Sequence, residues 1–180
     1  MSEQPGRYQR SFGGLVGALI VSLAVVLLFV GFRALFRVPP SDPVQAIDYV
    51  SAAKYAGQRL SFPVAAPQQL PPGWIATSAN SATAPLPHWH LGMLTQDRKY
   101  VGVEESTQPP DELVKAAIDP SATRGKDVSA GGVTWQRWTG PNDNVAYVRQ
   151  SQGYTLLLVT TAGDDTLQIL ISTLPGSVLG

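Results

Sequence analysis

The sequence predicts an α+β protein, in which an N-terminal transmembrane helix precedes one antiparallel β-sheet domain with helices packed on one side. Two observations lead to this prediction. An uncharged run from Ser11 to Phe32 lies between two arginines. After it, short segments of alternating apolar residues, separated by glycine, proline and asparagine turns, are typical of antiparallel strands.

The run from Ser11 to Phe32 is long enough to cross a bilayer. As a helix it would span roughly 33 Å, against a hydrocarbon core of about 30 Å. A cleaved signal peptide is the alternative, but its apolar region is shorter and ends in small residues, whereas this run ends at Phe32-Arg33. We therefore predict a disordered tail at 1–10, a transmembrane helix at 11–32, an Arg- and Pro-rich juxtamembrane linker at 33–43 and an α+β extracytoplasmic domain at 44–180.

The charges that flank the run do not set its direction, because the two arginines and the amino terminus before it nearly balance the two arginines after it. The tail before the run is short, however, and long domains after a first helix are translocated largely regardless of charge. This favours a single-pass protein of the cell membrane, with the N-terminus in the cytoplasm and the C-terminal domain outside.

The same run defines the first expected partners. Its helix would bind the lipid bilayer, and Gly14, Ala18 and Ser22 form a row of small residues that permits helix self-association. Ordinary bilayer composition is the alternative interpretation of that row, since glycine and alanine are common in spanning helices.

Charge and cysteine content narrow the classes of function. The first 40 residues carry four arginines and one glutamate, whereas the domain carries 9 basic and 12 acidic residues. A mildly acidic domain lacks the clustered positive charge that phosphate neutralisation requires, so no nucleic acid partner is expected. The absence of cysteine excludes disulfides, thiolate metal ligands and cysteine nucleophiles.

The first part of the domain combines a helix with weak strand patterns. Ser51–Gln58 is rich in alanine and predicts a short helix. Leu60–Val64 alternates like a strand, but its proline restricts it to a sheet edge. A Pro-Pro-Gly turn then leads Trp74, which we expect in the core, into a strand, and a loop is predicted from Asn80 to Pro87.

Later patterns predict a hairpin, a surface helix and a meander. Trp89, Leu91 and Met93 share one face of a strand, and Val101 and Val103 share one face of the next, which indicates an antiparallel hairpin. A helix starts at the Pro-Asp-Glu sequence after this hairpin and stops before the next proline. The predicted strands of the meander are Lys126–Ser129, Val133–Thr139, Asn144–Gln150 and Tyr154–Thr161.

The last strand and the last helix are predicted to pack together. Tyr154–Val159 is apolar on both faces, which suits a central strand that is covered on both sides or packs against a helix. Asp164 is expected to cap a helix whose apolar residues recur at i, i+3, i+4 and i+7. These residues are Leu167, Leu170, Ile171 and Leu174.

His88 and His90 are the histidines of the chain, and two residues apart in a strand they would share a face. A third metal ligand would have to come from Glu104 or Glu105 on the paired strand. Because two ligands do not make a site, the favoured interpretation is two exposed or hydrogen-bonded histidines beside a core tryptophan. The sequence thus predicts no metal, no cofactor and no catalytic residue, with a His88/His90 metal site as the alternative.

Two further patterns bear on function. The chain has no G-x-S-x-G elbow and no lysine after a phosphate-binding glycine loop, so nucleophilic catalysis has no motif behind it. Trp135 and Trp138 lie three apart in a predicted strand and so on opposite faces, which predicts that at most one is in the core. An exposed Trp138 would favour a binding surface.

Several short segments together resemble a known family over nearly the whole chain. They are the apolar run, Phe62-Pro63-Val64, Leu70-Pro71-Pro72-Gly73-Trp74, Trp89-His90-Leu91-Gly92, Tyr100-Val101-Gly102-Val103-Glu104, Thr134-Trp135-Gln136-Arg137, Val148-Arg149 and the closing helix. In order and spacing the chain is similar to an uncharacterised family of actinobacterial single-span membrane proteins, the domain of unknown function 4245. The resemblance implies an actinobacterial envelope setting and carries no reaction over to any residue.

The sequence leaves three hypotheses for the function. The first is a membrane-anchored, non-enzymatic interaction module of the cell envelope, with a protein partner there. The second is an envelope hydrolase or metal-dependent enzyme that uses His88 and His90 with Glu104 or Glu105. The third is a domain that binds a small apolar ligand. A deep pocket with convergent carboxylates would favour the enzyme, and a closed apolar cavity the ligand binder.

Overall fold

The computed structural model describes residues 16–17, 19–23, 25–27, 44–151 and 153–179. The chain divides into two units, Met1–Pro43 and Val44–Gly180. In the first unit the described residues are helical. None of the described helices is both long and apolar enough to cross a membrane. The predicted transmembrane helix at 11–32 falls partly outside the described residues, and the predicted tail at 1–10 and linker at 33–43 fall wholly outside them.

Over residues 44–151 and 153–179, the second unit contains four helices and eight strands, which we number in chain order. The helices are α1 (Tyr49–Gly57), α2 (Pro110–Ala117), α3 (Asp164–Thr173) and α4 (Gly176–Leu179). The strands are β1 (Ile75–Ala82), β2 (His88–Leu94), β3 (Tyr100–Ser106), β4 (Thr123–Arg124), β5 (Val128–Ala130), β6 (Val133–Thr139), β7 (Val145–Ser151) and β8 (Tyr154–Thr160).

The strands form one antiparallel sheet in the order β1-β2-β3-β8-β7-β6-β4, and β5 pairs with β6. The predicted antiparallel sheet with helices is confirmed. The β2–β3 hairpin and the β6–β7–β8 meander are also confirmed, with pairs such as Leu91↔Val103 and Tyr147↔Leu158. The pairing of β3 with β8 joins the hairpin to the meander, and β8 thereby becomes a central strand.

Two hydrophobic cores lie on opposite faces of the sheet, and β8 contributes to both. Leu156 and Leu158 enter the first, which we call the main core, together with Trp89, Leu91, Met93, Val101, Val103, Leu167, Leu170 and Ile171. Leu157 and Val159 enter the second core, together with Leu113, Val114, Ala122, Trp138, Ala146 and Val148. This alternation explains why β8 is apolar at nearly every position.

The prediction that the helices pack on one side of the sheet is wrong. Helices α1 and α3 contribute to the main core, whereas α2 packs Leu113 and Val114 into the second core. The physical reason is the central strand: a strand with apolar residues on both faces needs cover on both faces, and α3 can supply only one. The helices therefore divide between the two sides.

The same arrangement overturns the prediction that at most one of Trp135 and Trp138 is buried. The two indoles do lie on opposite faces, but Trp135 is 0% exposed in the main core and Trp138 is 6% exposed in the second. Trp138 therefore provides no exposed binding surface. Trp74, expected in the core, is half-buried and packs against the main core.

Two local predictions also need correction. Residues 60–64 form no strand; the segment crosses the main core irregularly, and Phe62 stacks on Tyr154 with ring centroids 5.2 Å apart.

The N-cap of α3 is Gly163 instead of Asp164. The Asp164 carboxylate accepts from Arg137 Nε at 2.7 Å and from Arg137 Nη2 at 2.9 Å, which ties the start of α3 to β6.

Candidate functional site

A histidine and a carboxylate meet on the open part of the sheet, on the face that carries the second core. His90 on β2 lies directly opposite Glu104 on β3, as the hairpin register requires. Its Nδ1 lies 2.5 Å from Glu104 Oε1, and both side chains are about one-fifth exposed. The hydrogen bond with Glu104 raises the pKa of His90, and partial burial opposes that rise.

A serine occupies the other side of the imidazole. Ser78 on β1 pairs with Gly92 in register, so its side chain lies diagonally across from His90 on the same face. Ser78 Oγ lies 2.9 Å from His90 Nε2. With the Nδ1 proton directed at Glu104, Nε2 is free to accept the hydrogen of the serine hydroxyl. The three side chains therefore form one hydrogen-bonded line across three strands.

Two glycines leave the space that the side chains around this line occupy. A Cβ at Gly92 would lie 2.4 Å from Ser78 Oγ and 3.3 Å from His90 Nε2, so a larger residue there would push the two apart. A Cβ at Gly102 would lie 2.5 Å from the hydroxyl of Tyr100, which leans over that position. Burial, together with the charge of Glu104, raises the pKa of Tyr100 to about 12, so the phenol stays protonated beside the line.

Of the residues in the predicted metal-site alternative, His90 and Glu104 meet, but His88 and Glu105 do not join them. His88 shares the face of His90, but its Nδ1 lies 3.2 Å from the carbonyl oxygen of Leu86. Glu105 points to the opposite face, as strand alternation requires. Among the described residues, no group of three or more histidine, aspartate or glutamate side chains is placed to hold a metal ion. That His88 and His90 hold no metal stays a prediction.

Glu105 is a buried carboxyl in the main core, 1% exposed. Its Oε2 accepts the backbone N–H of Ala65 at 2.7 Å, and Oε1 has no hydrogen-bond partner within the described part of the chain. Burial raises its pKa to about 8, and the bond from Ala65 opposes that rise. The carboxyl is therefore protonated near neutral pH and holds segment 60–67 onto the sheet. It lies apart from the line on the other face.

The remaining predicted positions lie in the first unit. Ser22 is described as helical and exposed, whereas Gly14 and Ala18 lie outside the described residues. The proposed row of small residues stays a prediction.

The sequence predicts that Glu104 or Glu105 on the paired strand lies near His90, and it gives no sign of Ser78. The sequence predicts that the strand of Ser78 ends by Asn80 and that a loop runs from there to Pro87. Strand β1 instead continues to Ala82, and five residues connect it to β2. Treating that short connection as a hairpin loop would have paired Ala82 with His88 and brought Ser78 beside Gly92.

Comparison with known proteins identifies a family. The model of a family described as a protein of unknown function, DUF4245, matches residues 7–174. No curated protein and no solved structure matches the chain.

Proposed function

We propose that this chain, which belongs to the DUF4245 family of proteins of unknown function, is a membrane-anchored interaction module of the cell envelope. Anchoring is supported by the uncharged run from Ser11 to Phe32, which as a helix would match the bilayer core. Within it the described residues are helical, and large apolar side chains such as Leu19 and Leu27 are 67% and 62% exposed. A helix that is apolar on its exposed surface suits a lipid environment.

The observation that carries the interaction role is the free edge of the sheet at β1. This strand ends the sheet order, is eight residues long, and contains no charged residue and no proline. Ile47 donates its N–H to Ala76 O at 3.0 Å, which covers the beginning of the edge. Along 77–82, the described residues place no further backbone hydrogen bond on the outer side.

The opposite edge of the sheet differs in every relevant respect. Strand β4 has two residues, and one of them, Arg124, forms an ion pair with Asp127 at 3.0 Å. Short strands and charges are the devices by which proteins protect their sheet edges from pairing with other chains. Since β1 has neither, it is suited to accept an extended strand of a partner, with main-chain hydrogen bonds supplying the affinity.

The chemistry at the end of β1 indicates the kind of partner. A depression beside Ser81 and Ala82 is lined by Tyr55 and Arg59. Arg59 Nη1 donates to the Tyr55 hydroxyl at 2.9 Å, and the guanidinium lies 5.1 Å from the ring centre. This exposed cation favours a partner strand with an acidic residue at the corresponding end.

The proposed location is the outer side of the cytoplasmic membrane, with the N-terminus inside. We expect protease added to intact, wall-stripped cells to remove the domain and leave the N-terminal segment, because the short tail favours translocation of the domain behind it. The measurement is immunoblotting with tags at both ends. Survival of the C-terminal tag, while a known external domain is digested, would contradict this orientation.

Docking at β1 predicts a position-specific crosslink. With a photo-crosslinking phenylalanine at Ala82, we expect covalent adducts to an envelope protein on irradiation of cells. The same substitution at Glu112, exposed on α2, serves as the matched control and is expected to give none. Equal adduct formation at the two positions, or none at Ala82, would show that the edge is not a docking surface. Mass spectrometry of the adduct would identify the partner.

A further inference from the structure

The hydrogen-bonded line Ser78–His90–Glu104 brings together a hydroxyl, an imidazole and a carboxylate. Neither membrane anchoring nor partner binding at the sheet edge requires this arrangement. We propose that it is a nucleophilic site that hydrolyses neutral carboxylic esters, with Ser78 as nucleophile, His90 as general base and Glu104 as the group that orients the imidazole. Ser78 lies on the docking strand β1, but the activity goes beyond the binding role and needs neither the membrane anchor nor a bound partner. It would replace the expectation of a domain without catalytic residues.

The assignment of roles follows from which atoms meet. The carboxylate contacts Nδ1 at 2.5 Å and the hydroxyl contacts Nε2 at 2.9 Å. In serine hydrolases the carboxylate likewise holds the Nδ1 proton, so that Nε2 can take the proton of the nucleophile. The triad is recognised by this geometry and not by sequence position, so its appearance on three neighbouring strands is no obstacle.

The contact between Ser78 and His90 depends on the backbone around it and does not come from two freely moving surface side chains. Ser78 and His90 can approach only because position 92 has no Cβ. On β1, a bulge between Ala76 and Ser78 leaves Thr77 without a Cα partner, and Thr77 Oγ1 instead donates to Gly92 O at 3.2 Å. The residue before the nucleophile is thus tied to β2, which helps to hold Ser78 in place, as a preorganised site requires.

Asn80 is the candidate for stabilising negative charge in the transition state. It lies two residues from Ser78 on the same face, directly opposite His90, and is exposed. Its carboxamide N–H groups can donate to the oxygen that becomes charged when the ester carbonyl is attacked. A single side-chain donor of this kind is worth about 10² to 10³ in rate.

The reaction proceeds in two balanced halves. Ser78 Oγ bonds to the ester carbonyl carbon while its proton moves to His90 Nε2, and the C–O bond to the leaving alcohol then breaks as Nε2 returns the proton to that oxygen. Water next attacks the acyl-serine, again losing a proton to Nε2. The serine leaves with that proton, and the products are a carboxylic acid, an alcohol and the unchanged enzyme.

Charge and shape indicate the substrate class. Strands β1, β2 and β3 contain no lysine or arginine, so no permanently charged cation on them complements an anionic phosphate or carboxylate. His90 and Glu104 are both partly exposed on an open sheet face. Such a face suits a small acyl ester carried on a larger molecule better than a free small molecule that needs a pocket.

The test uses the full chain in detergent micelles, a fluorophosphonate probe for nucleophilic serines and p-nitrophenyl acetate as the ester. We expect wild-type protein to be labelled, with the adduct mapped to Ser78 by mass spectrometry, and S78A to lose both labelling and hydrolysis. S129A is the matched control, because Ser129 is an exposed serine on β5, outside both the line and the docking edge. It should retain both.

A second variant separates catalysis from a structural role. E104Q should lower the rate by about 10²-fold or more and move the midpoint of the pH–rate profile downward, since the hydrogen bond that raises the pKa of His90 is lost. Absence of an adduct on Ser78 in the wild type between pH 6 and 9 would overturn the proposal without reference to any variant. So would ester hydrolysis that is equal in wild type and S78A.

Discussion

Replacing Leu170 by alanine is expected to lower the free energy of unfolding of the domain 44–180 by about 2 to 5 kcal/mol. Leu170 is 0% exposed, and with Leu167 and Ile171 it forms the side of α3 that packs into the main core. Truncation removes buried apolar surface and leaves a cavity that the sheet cannot fill. A loss of this size is a large fraction of the roughly 5 to 15 kcal/mol that stabilises a small domain. Urea denaturation of the domain measures this loss of unfolding free energy.

The neighbouring residue provides the control. Ile169 is 48% exposed on the same helix, so Ile169→Ala should change the free energy of unfolding by no more than about 0.5 kcal/mol. If the alanine variants at 169 and 170 proved equally stable, α3 would not be part of the core.

The second large effect concerns pH. Between pH 5 and 8 we expect the buried carboxyl of Glu105 to lower the free energy of unfolding by up to about 1.4 kcal/mol per pH unit. Its pKa is about 8 in the folded domain, against 4.5 for an unperturbed glutamate, so in this window the folded state holds a proton that the unfolded chain releases. The stability that this proton provides is therefore fully present below pH 4.5 and is lost as the pH rises through 8.

Glu105→Gln should remove this dependence, since a glutamine cannot ionise. Other titrating groups, including His90 with its raised pKa, remain in both proteins, so the difference between the two pH profiles isolates Glu105. Glu112→Gln, the same change at an exposed position of α2, should leave the wild-type profile unaltered. Parallel profiles for wild type and Glu105→Gln would mean that the buried carboxyl does not titrate in this range.

Local patterns were sufficient for much of the fold. The hairpin of β2 and β3 follows from alternation on either side of a short polar turn, and α3 follows from apolar residues at helical spacing. Each element in these cases carries its own periodicity. Glu104 and Glu105 lie on opposite faces for the same kind of local reason, because side chains alternate along any strand.

The pairing of strands that are distant in the sequence could not be predicted from local patterns. The joining of β3 to β8 brings together residues that are far apart in the sequence, such as Val103 and Leu158, and no local pattern encodes it. From that pairing come the two-sided burial of β8, the division of the helices between both faces, and the burial of both Trp135 and Trp138. Without it, one helical layer was the simpler prediction.

By itself the sequence determined the uncharged run before the domain, the antiparallel class of the sheet and the proximity of His90 to one of the two glutamates on the paired strand. Only the tertiary structure decided that Ser78 completes their line, that Glu105 is buried with no partner for Oε1 among the described residues, and that β1 is a free edge. The physical reason is the range of the interactions. Periodicity reports which face a residue occupies, whereas register, burial and edge position depend on which distant strand pairs beside it.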